Sequence, residues 1–168
     1  PASEGTVVTM GTGSGEFFAT VGGLPTGTVV YFKAYATNTQ GTAYSTVQSF
    51  TPSGPPSVNA TPASGIGQNS ATLGGQVTST GGGAITATGI VYDLDSDPVT
   101  GGTEVAVAVP APETAPFSTI VGGLLPGTNY WFKAYAQNAA GRVYSTDPAE
   151  PFTTLAGPPI LNATPTVA

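Results

Sequence analysis

The densest group of side chains able to do chemistry is Asp93-Leu94-Asp95-Ser96-Asp97, followed by Glu104. With Asp93 counted as position one, carboxylates stand at one, three, five and twelve, the spacing with which a loop wraps a calcium ion. Position six argues against it. Pro98 stands where glycine makes the sharp turn, and Glu104 opens an alternating, strand-like stretch. The plain alternative is a solvated acidic loop between two strands. A glycosidase pair would need two carboxylates flanking a sugar-sized cleft, but no aromatic residues gather around Asp95 and Asp97 to line one. The other acids, Glu4, Glu16, Glu113, Asp147 and Glu150, are scattered among turns. Ser45 and Ser145 have no histidine to activate them, because the chain contains none, and it contains no cysteine either. The commonest general base, the commonest zinc ligand and every thiolate site are thereby removed. The expectation is no catalytic residue, no enzyme and no cofactor, with calcium at Asp93, Asp95, Asp97 and Glu104 the one metal candidate.

Recognition chemistry is better represented. In the stretch Tyr130 to Ala136, period-two alternation sends Tyr130, Phe132, Ala134 and Ala136 to one face and Trp131, Lys133 and Tyr135 to the other. Lysine is a poor core residue, so the second face is the outer one. The pattern recurs as Tyr31, Lys33 and Tyr35. Aromatic rings around a lysine suit a contact between subunits or a platform for sugar rings. They equally suit cross-strand cover within one sheet, with Tyr44 and Tyr144 as neighbours. Asn59-Ala60-Thr61 and Asn162-Ala163-Thr164 are acceptor sequons for glycosylation.

The elements that position these residues follow from a repeat. Residues 21–46 and 121–146 align without gaps, with 16 of 26 positions identical. Phe17 matches Phe117 and, after two inserted residues, Phe50 matches Phe152. After one more, GPPSVNATP from Gly54 matches GPPILNATP from Gly157. Strands are expected at Ser57 to Thr61, at a second stretch with Ala71, Leu73, Gly75 and Val77 on one face, and at Ile85 to Tyr92. Further ones are expected at Glu104 to Val109, Phe117 to Val121, Asn129 to Gln137 and Val143 to Thr154. Short strands with frequent turn signals and no helical period read as an all-β sandwich.

Charge is scarce: 3 basic and 9 acidic residues make 7% of the chain and a net charge of −6, against roughly 25% charged residues in an ordinary soluble domain. Nucleic acid and anionic membrane are poor partners for such a surface, and no apolar run is long enough to insert into a bilayer. The partners expected instead are neighbouring copies of the same repeat, and glycans.

The run Leu-Pro-Gly-Thr-x-Tyr-x-Phe-x-Ala-Tyr-Ala-x-Asn-x-x-Gly from Leu125 to Gly141, closed by Tyr144-Ser145 and Phe152-Thr153-Thr154, resembles the last half of a fibronectin type III domain. It is most similar to the Gly- and Thr-rich bacterial version carried by secreted and cell-surface proteins. The resemblance implies tandem immunoglobulin-like sandwiches, with Tyr130 as the corner tyrosine whose hydroxyl ties back to nearby backbone. Two departures stand out. Val30 replaces that tyrosine in the first copy, and the tryptophan typical of the second strand is absent, with Gly75 in its place. A thinner core is expected.

The alignment divides the chain into 1–54, the latter half of one repeat, 55–156, a complete repeat, and 157–168, the first strand of another. A half-sandwich exposes an apolar face and strand edges. It is therefore expected to be a stretch of a longer tandem array, with strand lending between separate chains as the rival. Proline-rich linkers at Thr51 to Pro56 and Leu155 to Pro159 favour end-to-end domains. The functional expectation is a structural repeat of an extracellular or cell-surface fibre, filament, stalk or adhesin. The alternative is a spacer in a secreted multidomain enzyme or sugar-binding protein.

Overall fold

The computed structural model describes residues 5–146 and 148–159, and every described element is a β-strand. Most of the expected strand at 157–168, with the sequon at Asn162, lies outside the described residues. The chain divides between Pro52 and Ser53 into two compact units. Ser53 and Gly54 thus belong with the second unit, whereas the sequence alignment put them in the first. Hydrogen bonds give the reason: Gly54 N donates to Gly81 O at 2.8 Å, and Asn138 Nδ2 donates to Gly54 O at 2.8 Å.

The first unit holds β1 (Val30–Phe32), β2 (Tyr35–Asn38), β3 (Gly41–Tyr44) and β4 (Gln48–Phe50). β1 pairs with β4 and β2 with β3, both antiparallel. The β2–β3 turn forms because Asn38 Oδ1 accepts from Gln40 N at 2.8 Å, while Gly41 takes a φ of +144° that a side chain would resist.

The second unit holds β5 (Ser57–Ser64), β6 (Ser70–Ser79), β7 (Ala87–Asp93), β8 (Thr103–Val107), β9 (Pro116–Gly122), β10 (Asn129–Asn138), β11 (Gly141–Tyr144) and β12 (Glu150–Thr153). One antiparallel sheet runs β5-β6-β9; the other runs β11-β10-β7-β8, with β12 also on β10. The expected single strand Val143 to Thr154 is two strands. Ser145 causes the break, donating its N–H to Ala134 O at 2.8 Å while its Oγ accepts from Ala134 N at 3.2 Å. Pro148, lacking an N–H, cannot resume the ladder.

Alternation places the core as expected. Ala71, Leu73 and Val77 of β6 and Tyr130, Phe132, Ala134 and Ala136 of β10 all join one buried cluster, with Val58, Ile90, Phe117, Val121 and Phe152. The rings of Phe132 and Phe152 meet edge-on at 6.1 Å, and those of Tyr130 and Phe152 stack at 5.5 Å. The Tyr130 hydroxyl accepts from Leu125 N at 3.0 Å, closing the corner. At the centre the sheets approach closely. A Cβ on Gly75 would lie 2.4 Å from Ala134 Cβ, so the small residue on each strand is what sets the spacing there.

Candidate functional site

The two units build the same local structure from their related sequences. Tyr35 pairs with Tyr44 as Tyr135 does with Tyr144, and Asn38 with Gly41 as Asn138 does with Gly141. Val30, Tyr31 and Phe32 pair with Phe50, Ser49 and Gln48, just as Tyr130, Trp131 and Phe132 pair with Phe152, Pro151 and Glu150. Ser45 repeats the strand break, its N–H donating to Ala34 O at 2.9 Å and its Oγ accepting from Ala34 N at 3.0 Å. Phe32 and Phe50 meet edge-on at 6.0 Å. Local sequence therefore suffices for these registers.

Burial separates the units. Phe132 is 0% exposed and Phe152 is 6%, but their counterparts Phe32 and Phe50 are 51% and 46% exposed. In the second unit β7 lies along β10 from Trp131↔Asp93 to Gln137↔Ala87. Among the described residues no strand pairs with the corresponding edge of β1 and β2. The first unit thus presents an apolar sheet face and an open edge side by side.

The aromatic stripe differs between units as well. Tyr31 is 71% exposed, with Lys33 and Tyr35 also exposed. In the second unit the outer face is covered: Trp131 is half-buried, Lys133 is 5% exposed and Tyr135 1%. Lys133 and Tyr135 are therefore not the outward platform that alternation alone suggested. Tyr135 lies over its cross-strand partner Gly89, where an added Cβ would meet the ring at 2.5 Å. Arg142 closes over the ring with its guanidinium carbon 4.3 Å from the centroid. Its Nη1 donates to Glu104 Oε2 at 2.9 Å and its Nε to Gln137 Oε1 at 3.0 Å. The signals for this cover were in the sequence: a glycine inside a strand, and Arg142 where the first copy has Thr42. In the first unit Thr42 and Thr37 instead share a hydroxyl hydrogen bond at 2.8 Å.

Burial, reinforced by the Glu104 carboxylate, pushes the Tyr135 hydroxyl up to about 12 from its ordinary 10.0. Tyrosine is charged when deprotonated, so the unfolded chain releases this proton first. Stability from the shift is complete below pH 10 and falls as pH rises toward 12. Denaturation between pH 8 and 12, followed by Trp131 fluorescence, should show a steeper decline in the parent chain than in Tyr135→Phe. Equal declines would contradict it.

The acidic loop does not gather its carboxylates. Asp93 Oδ1 accepts from Leu94 N at 2.6 Å and Asp95 Oδ1 from Asp97 N at 3.2 Å. Asp97 accepts from Val99 N and from the Thr100 hydroxyl, each at 3.4 Å. These oxygens turn the chain. Glu104 lies in β8 and pairs with Arg142, which gives it a partner away from the loop. Among the described residues no three acidic groups are placed to hold a metal. Asn59 is exposed on β5, beside a shallow depression lined by Ser145, Glu150 and Pro151, so its side chain is open to modification. No helix among the described residues is long and apolar enough to cross a membrane.

No family model and no curated protein matches the chain. Several solved structures resemble it. The sensor domain of the anti-sigma factor RsgI4 of Pseudobacteroides cellulosolvens is 27% identical over 61% of this chain and 96% of that one, with a TM-score of 0.45. The FN1–FN3 domains of chicken CNTN1 are 20% identical over 79% of this chain and 45% of that one, also at 0.45. A fibronectin type III domain of human KIAA0970 is 17% identical over 66% of this chain and 82% of that one, at 0.39.

Proposed function

We propose that this chain is a structural stretch of an extracellular fibre or stalk, built from tandem sandwiches of the fibronectin type III kind and acting through length, stiffness and contacts between repeats. The observation that carries the proposal is the reuse of one strand register by two units of one chain. Repetition of a module is how proteins build length. The sheet orders β5-β6-β9 and β8-β7-β10-β11, with the Tyr130 corner, support the fibronectin type III assignment. The site chemistry supports a non-catalytic role: the Ser145 hydroxyl serves a strand break and the Asp93–Asp97 carboxylates serve a loop. A surface of Ser, Thr, Gly and Asn with an exposed sequon at Asn59 suits the outside of a cell.

Electron microscopy of the native material, with its denatured mass measured alongside, tests the proposal. Thin rods with a repeat of one sandwich length, and further repeats of the same sequence, are expected. Compact particles, or catalytic or sugar-binding modules on the same polypeptide, would overturn the fibre reading and make the chain a spacer.

A further inference from the structure

The chain enters the second unit through Ser53-Gly54-Pro55-Pro56, in which Gly54 and Pro56 are buried. The seat of this segment is the turn Thr80-Gly81-Gly82-Gly83 that follows β6. Gly54 N donates to Gly81 O at 2.8 Å. Asn138, 3% exposed at the end of β10, divides its amide between two tasks. Its Oδ1 accepts from Ala140 N at 2.9 Å and from Gly141 N at 3.2 Å, which makes the β10–β11 turn. Its Nδ2 donates to Gly54 O and to Thr80 O, both at 2.8 Å, so the amide is fully used. The glycines supply the room. A Cβ on Gly81 would lie 2.3 Å from Gly54 O and 2.5 Å from Pro55 O, and one on Gly83 would lie 3.3 Å from Ser53 Cβ. Pro55 and Pro56 have no N–H to offer, and Pro55 holds Gly54 in an extended backbone. The polar anchorage of the entering chain therefore rests on Gly54.

We infer that Asn138 and the Thr80–Gly83 turn form a clamp on the entering chain, one that confines bending between successive repeats to Ser53. This rests on the reading of the chain as a structural repeat and names the device behind its stiffness. Within the first unit, Pro52 O accepts from Gly27 N at 2.8 Å, and the Pro52 ring fixes its own φ. Within the second, Gly54 is bonded through both its N–H and its C=O. Ser53 alone stands between these anchored residues. The parts recur in the sequence, as a joint used at each repeat requires. Gly157-Pro158-Pro159 repeats the seated tripeptide, and Asn38 to Gly41 repeats the asparagine turn.

The experiment uses the full 168-residue chain, isotope-labelled, as parent and three variants, under conditions where Trp131 fluorescence shows the second unit folded in all four. Asn138→Asp keeps an oxygen for the turn but sets a second oxygen against Gly54 O and Thr80 O. Gly81→Ala drives a Cβ into the entering backbone. Gly82→Ala strains the same turn, with a φ of +83° against +68° at Gly81, but meets only Ser53 Cα at 4.0 Å. The Gly54 N–H should exchange slowly in the parent and in Gly82→Ala, and about tenfold or more faster in Asn138→Asp and Gly81→Ala. In those two alone, residual dipolar couplings of the β1–β4 amides should shrink relative to those of β5–β12. A Gly54 N–H that exchanges freely in the parent, equal acceleration in Gly82→Ala, or couplings unchanged once the clamp is broken would overturn the inference. Native rods together with a freely exchanging Gly54 would sink the clamp and leave the fibre reading standing. Compact native particles with Gly54 protected would do the reverse.

Discussion

Phe132→Ala is expected to cost the second unit about 3–5 kcal/mol, while the same truncation at the equivalent Phe32 costs the first unit less than about 1 kcal/mol. Phe132 is fully enclosed by both sheets and by the edge of the Phe152 ring, so its removal takes away transfer energy and leaves a cavity. Phe32 keeps the same edge-on partner, Phe50, yet half of its surface already meets water. Little apolar area returns to solvent when it is cut back. The chain has a single tryptophan, Trp131, so fluorescence during urea unfolding reports the second unit alone. The midpoint should fall sharply for Phe132→Ala and stay in place for Phe32→Ala, with amide exchange of β1–β4 reporting the first unit. Similar losses at the two sites would mean that the first unit has a closed core of its own.

Gly75→Val is the second large effect, a loss of about 3 kcal/mol or more in the same fluorescence assay. The new Cβ would meet Ala134 Cβ at 2.4 Å, Asn59 O at 2.9 Å and the Phe117 ring at 3.0 Å. Two of these three belong to a backbone carbonyl and to the first atom of a side chain, neither of which can rotate away. The sheets must part or the strand must shift. Gly75 does not require a left-handed backbone, so the cost is one of space. Gly82→Ala offers the comparison: that Cβ would meet only Ser53 Cα, at 4.0 Å, but the φ of +83° resists a side chain. Its loss should be smaller, about 1 kcal/mol. A neutral Gly75→Val would show that the two sheets are less tightly packed than this spacing implies.

Much of this protein is legible in its sequence because β-structure leaves a local signature. Period two fixes which face a residue takes, so Tyr130, Phe132, Ala134 and Ala136 could be assigned inward before any contact was known. The repeated Asn-x-x-Gly turn fixes the β2–β3 and β10–β11 registers through the asparagine oxygen, which acts within its own turn. The corner hydroxyl of Tyr130 reaches only to Leu125, five residues back. The interruption between β11 and β12 has no such local signature. It depends on a serine hydroxyl competing with the ladder for Ala134 N, and the side chain Ser145 looks like any strand serine until its partner strand is in place.

The outer aromatic stripe shows where local reading stops. Alternation correctly put Trp131, Lys133 and Tyr135 on one face, but facing outward is not the same as being exposed. Whether Tyr135 meets water depends on Gly89 beneath it and Arg142 above it, which come from strands distant in sequence. The acidic loop carries the same lesson. The spacing of Asp93, Asp95, Asp97 and Glu104 is compatible with a metal, yet Glu104 is drawn to Arg142 across the sheet.

The sequence by itself determined the all-β class, the repeat, the inward faces and the turns, because each is set by contacts within a few residues or by strict alternation. Tertiary structure alone decided what the outer aromatic face meets: Tyr135 is enclosed between Gly89 and Arg142, which stand on other strands. Burial belongs to the strands that arrive from elsewhere, and no residue carries it within itself.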